Sequence, residues 1–133
     1  MLTTKEIDIE CAEIKLLDSS IILLKYKPNY EVELEDVKEV EKALIKLSNN
    51  GNIYCLMDTS GSFNNYSTEA QKFLSNDASI IKNKKIKGSA LVIDNLPNRL
   101  MAKFFSSIFK PKFPMKIFPN QEQGLVWLNE LMH

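Results

Sequence analysis

Apolar positions along the chain change period several times, and each change marks an element. Over residues 7–17, Ile7, Ile9 and Cys11 share one parity, while Ile14 and Leu16 take the other. That shift predicts one long strand with a bulge or bend near Ala12. Asp18-Ser19-Ser20 is a turn cluster and residues 21–27 read as a second strand, so the two form a hairpin ended by Pro28 and Asn29. From Leu34 the period becomes helical: Leu34, Val37, Val40, Leu44, Ile45 and Leu47 share one broad arc, with Glu35, Glu39, Lys42 and Lys46 facing water. Glu35–Lys38 and Glu39–Lys42 are attractive neighbours on that helix, and Asn49-Asn50-Gly51 supplies a left-handed stop.

Residues 53–57 form a short uninterrupted apolar run, as expected of a strand covered on both faces. Residues 61–66 read as loop, and Thr68-Glu-Ala-Gln71 as a capping box opening a helix through Ala70, Phe73 and Leu74. Ile80 and Ile81 close that region, and residues 82–87 form an exposed basic loop. Residues 88–94 are another buried strand ending in an acid. Pro97 suits the first turn of a third helix running to about Phe109. Lys110-Pro-Lys-Phe-Pro114 breaks it, and residues 115–118 give a last strand. Asn120 to Gln123 then cap a final helix with Leu125, Val126, Leu128 and Leu131 inward and Trp127 alongside.

The order is β-β-α-β-α-β-α-β-α: an α/β fold with a mostly parallel, mixed five-stranded sheet and helices packed on it. The 133 residues fit a single domain, 1–133, able to bury one core. No apolar run approaches the roughly 20 residues that span a bilayer, and the start lacks the pattern of a signal peptide. Cys11 and Cys55 have no metal-ligand spacing and read as reduced core thiols. Together these features predict a cytoplasmic protein. Formal net charge is zero, yet residues 1–77 hold 8 basic and 14 acidic side chains against 9 and 3 in residues 78–133. Such a bipolar surface can orient a partner or favour self-association, although a solvated acidic helix and basic loop give the same count.

The element order is similar to the STAS fold of anti-sigma-factor antagonists and its SpoIIAA-like and CRAL-TRIO lipid-carrier relatives. The passage Leu24-Lys-Tyr-Lys-Pro28 through Leu34-Glu-Asp-Val-Lys38 resembles that group's entry to its first helix. The ending Phe113-Pro-Met-Lys-Ile-Phe118, Glu122 and Gly124-Leu-Val-Trp-Leu128 resembles its closing strand and acidic last helix. Gly124 stands where alanine is usual, at a helical cost of about 1 kcal/mol in an interior position. In STAS antagonists an Asp-Ser-Ser-Gly segment leaves the third strand and a serine there is phosphorylated; Asp58-Thr59-Ser60-Gly61 resembles it. The resemblance thus implies Ser60, or Thr59, as a phosphorylation site that releases a protein partner. In those antagonists the helix follows the glycine at once, whereas here residues 62–67 intervene. The alternative is a plain turn in which Asp58 and Ser60 bond nearby amides.

Asp58 and Asp94 both end strands at the carboxyl edge of the sheet, where this class of fold binds ligands, so together they mark a ligand crevice or a pair of turns. The single histidine is the terminal His133, which leaves no Ser-His-Asp set. Neither familiar nucleotide loop is present. No catalytic constellation, cofactor motif or metal cluster emerges, and an enzyme is the unfavoured class. The third helix carries Leu100, Met101, Phe104, Phe105, Ile108 and Phe109 over about half its circumference, with Lys103 on the other side. It fits a protein partner, a homodimer contact, or an anionic lipid or membrane surface. The plainer arrangement buries most of these rings beneath the last helix. The basic loop is too short and lacks the aromatics needed for nucleic acid. The leading expectation is a non-enzymatic STAS-like protein-interaction or regulatory domain. Its alternatives are a lipid- or membrane-associating module of the CRAL-TRIO kind and, more weakly, a small-ligand site between Asp58 and Asp94.

Overall fold

The computed structural model describes residues 5–18, 20–61 and 63–133; the side chains of Phe105 and Phe109 are not described. The expectations for Ser19, Ser62 and the first four residues lie outside the described residues. Six strands form one sheet: β1 (Glu6–Asp8), β2 (Ala12–Leu16), β3 (Ile21–Tyr26), β4 (Ile53–Asp58), β5 (Ile86–Val92) and β6 (Met115–Phe118). They lie side by side in chain order; β1, β2 and β3 are antiparallel neighbours, and β3 to β6 run parallel.

The extra strand corrects the reading of residues 7–17. The parity shift is a tight reversal rather than a bulge: Ile9 N donates to Ala12 O at 3.0 Å and Ala12 N to Ile9 O at 3.3 Å, leaving Glu10 and Cys11 at the corner. Ile7 then faces Ile14 across the hairpin. A two-residue turn and a bulge both move the apolar set to the other parity, so alternation alone does not separate them.

Helix α1 (Leu34–Leu47) has the expected bounds, and buries Val37, Val40, Ala43, Leu44 and Leu47. Its start is held by Glu33 N donating to Asp36 Oδ2 at 2.8 Å, and Lys38–Glu35 and Lys42–Glu39 pair on its outer face. Its stop uses left-handed Asn49 and Asn50 rather than Gly51. The next helical stretch is broken into α2 (Thr68–Lys72), a π-helical turn (Phe73–Asp77) and α3 (Ser79–Lys82). Ser67, not Thr68, caps α2, accepting from Ala70 N at 3.1 Å. Helix α4 (Leu96–Phe109) opens with Asn95 accepting from Asn98 N, and Pro97 sits in its first turn. Helix α5 (Gln121–Met132) is capped by Asn120 accepting from Gln123 N.

Three parallel crossovers step in the same direction across the sheet, so their right-handed sense stacks α1, α2–α3 and α4 on one face. Helix α5 packs alone on the other, over β4, β5 and β6. Strand alternation divides the core accordingly: Ile53 and Cys55 join Val37, Val40 and Leu44, whereas Leu56, Ala90 and Val92 join Leu128. A Cβ on Gly124 would lie 2.9 Å from Leu56 Cδ1 and 3.3 Å from Ala90 Cβ. The glycine that weakens α5 is therefore what lets it reach the sheet. Val126, expected inward, is 57% exposed, and Leu131 lies at the rim. With Gly124 on the sheet side, Val126 is turned outward by two residues of helix.

Candidate functional site

The exit of β4 is tied from three directions through Asp58, which is buried. Its Oδ1 accepts from Ser60 N at 2.8 Å and from Ser60 Oγ at 2.6 Å; its Oδ2 accepts from Gln121 Nε2 at 2.7 Å and lies 3.6 Å from Lys25 Nζ. Burial pushes this carboxyl up, but the bonds from Ser60 and Gln121, with Lys25 beside them, outweigh it and hold the pKa below its ordinary value. Asp94 is exposed, accepts Gly61 N at 3.2 Å and takes a bond from Asn95 Nδ2. The two acids thus meet on one turn, each facing donors of that turn or its neighbours. Alternation sends Asp58 and Ser60 to the α5 side and Thr59 to the other. Thr59 Oγ1 donates to Val92 O at 2.8 Å, and Asn98 of α4 donates to Thr59 O at 3.1 Å.

On that other side lies a space that no sequence pattern revealed. A cavity of about 150 Å³ lies among the sheet, α1, the α2–α3 segment and α4. Its floor is Leu24, Cys55, Met57 and Leu91; its walls include Val40, Leu44 and Phe73, and its roof is Met101 and Ala102 of α4. The lining runs along β5 from Ile86 to Ile93, a distance of about 23 Å of strand. The π-helical turn supplies Phe73 and Leu74 to the wall, a device that often accompanies binding sites. Cys55 is no nucleophile here: burial pushes its thiol up to about 12 despite a bond with Ser89. Tyr66 also lines the space, and its hydroxyl, like that of Tyr26 against which it packs edge-on, is buried without a hydrogen-bond partner among the described residues. Burial raises both phenols well above their ordinary range.

The outer side of α4 is apolar as well. Leu96, Leu100, Phe104 and Ile108 are 64%, 56%, 63% and 53% exposed, a stripe at every fourth position. Met101 turns inward to the cavity and Lys103 is exposed; the side chains of Phe105 and Phe109 lie outside the described residues. The arrangement in which α5 covers these rings is overturned, because α5 occupies the opposite face of the sheet. Among the described residues no group of three or more His, Cys, Asp or Glu side chains is placed to hold a metal ion, and no helix is long and apolar enough to cross a membrane.

A family model described as "Domain of unknown function (DUF7793)" matches residues 15–132, and the chain belongs to that family. No curated protein matches it. Its structure is similar to the crystal structure of an uncharacterized protein of the DUF3478 family with a SpoIIAA-like fold from Shewanella loihica PV-4. The two share 16% identity and a TM-score of 0.60 over 96% of this chain and 98% of that one. The fold is therefore SpoIIAA-like.

Proposed function

We propose that this member of the DUF7793 family is a non-enzymatic module that takes an apolar chain between its sheet and helices and rests on an anionic lipid surface through α4. The observation that carries the reading is a helix apolar on both sides: Met101 and Ala102 roof an apolar cavity, while Leu96, Leu100, Phe104 and Ile108 face solvent. Burying that outer stripe removes apolar surface from water at about 25 cal/mol per Å². Arg99 and Lys103 lie within α4, which holds no acid, and Lys110 and Lys112 follow it. That charge suits anionic headgroups. Flotation with vesicles containing phosphatidylserine tests it: the chain floats with them, and the Leu100→Glu, Phe104→Glu double variant stays at the bottom. No bound fraction on anionic vesicles would overturn the membrane half of the reading.

The second reading is a STAS-like regulatory domain acting through protein contacts, supported by Asp58-Thr59-Ser60-Gly61. Ser60 already donates to Asp58, so a phosphate there would face a carboxylate, and the next helix starts only at Thr68. Phosphate found at Thr59 or Ser60 by mass spectrometry of native protein would favour this reading over the first.

A further inference from the structure

The cavity along β5 does not end in apolar surroundings. A second depression, of about 470 Å³, adjoins it and shares Ile81, Ile86 and Phe113 as walls. Its remaining lining is dominated by Lys82, Lys84, Lys87 and Lys112, with no carboxylate among them. Lys82 ends α3, Lys84 lies in the turn that follows and Lys87 stands near the start of β5, while Lys112 arrives from the segment after α4, so two separate parts of the chain converge on one spot. All four are exposed. Lys84 holds a left-handed backbone at φ 57°, a place where asparagine or glycine sits more easily.

An apolar space that opens beside four unopposed cations has the polarity of a molecule with a tail and a charged end. Its extent along β5, against a volume that in an engineered protein cavity holds one benzene ring, describes something long and thin rather than a fused ring system. We infer that the cavity binds a linear amphiphile with an anionic head, its chain lying along β5 and its carboxylate or phosphate seated among Lys82, Lys84, Lys87 and Lys112. This rests on the reading that the cavity takes an apolar chain, and adds the chemical class of the ligand. It does not involve the outer stripe of α4, so binding proceeds in solution without a membrane. Each methylene that enters the cavity tightens binding about fourfold. The lysines then favour a charged head over a neutral one in a salt-dependent way.

Calorimetric titration with octanoate, octyl phosphate and 1-octanol at low salt tests the assignment. At least one anion binds about tenfold tighter than the alcohol, and the stronger of the two identifies the head as carboxylate or phosphate. The Lys82→Gln, Lys84→Gln, Lys112→Gln variant, altered only at exposed positions, brings the anions down to the alcohol's affinity and leaves the alcohol unchanged. If the alcohol binds as tightly as both anions, or the triple variant keeps the preference, the anionic head is overturned while the apolar-chain reading stands. If none of the three binds, both fall together.

Discussion

The two faces of the sheet are built from alternate residues of the same strands, yet they are packed differently. On one, α5 lies so close that Gly124 has no room for a methyl group against Leu56 and Ala90. On the other, α1, the α2–α3 segment and α4 bury the larger share of the core yet leave a cavity of about 150 Å³. Interiors are normally filled to crystal-like density, so an apolar void beside a closely packed layer marks where the fold gives up packing. The α5 face anchors the β4 exit through Asp58 and Gln121. The other face holds the space into which the proposed ligand would fit.

Enlarging a residue should therefore have opposite signs on the two faces. Gly124→Val forces overlap with Leu56 and is expected to lower stability by about 3 kcal/mol in urea unfolding. An equal or smaller loss than that of an exposed α5 substitution would break the contrast. Asp58→Asn removes a charged acceptor from Ser60, Gln121 and Lys25 and is expected to cost about 2 kcal/mol at neutral pH. Because the folded pKa of Asp58 is lowered, its contribution is complete above the unfolded value near 4 and disappears as pH falls through the folded one. The loss caused by Asp58→Asn should accordingly shrink as acid unfolding is followed downward from about pH 4. Ala102→Leu fills part of the cavity from α4 and is expected to raise stability by about 1 kcal/mol while blocking ligand. Tyr66→Phe, which deletes a buried hydroxyl without a partner among the described residues, should raise the melting temperature by a few degrees at most, an effect of about 0.5 kcal/mol.

Much of the scaffold on both faces was legible in the sequence. The helical arc of α1, the Asn120 cap and the apolar run of β4 are local patterns, and each produced an element within a residue or two of its expected bounds. The SpoIIAA-like arrangement followed from their order. The cavity was not legible, since a void is a property of what several distant segments fail to fill. Leu24, Leu44, Phe73 and Met101 are ordinary core letters taken singly. The α4 stripe was half legible: its wide apolar arc was plain, but whether the last helix covered it depended on which side of the sheet that helix took. At the β4 exit, the Asp58 and Ser60 turn was among the open alternatives. Its ties to Lys25 and Gln121 join residues far apart in the chain, which no local pattern encodes.

Strand order that follows chain order has a consequence for how the protein is made. As the polypeptide leaves the ribosome, each new strand meets a neighbour already present, and no strand waits for a later one to be inserted beside it. Helix α5 is the exception. Until it emerges, the apolar side of β4 and β5 that carries Leu56, Ala90 and Val92 has no cover. The nascent chain therefore completes the side that holds the cavity before the side that α5 covers, and a chaperone able to hold the unfinished sheet would act in that interval.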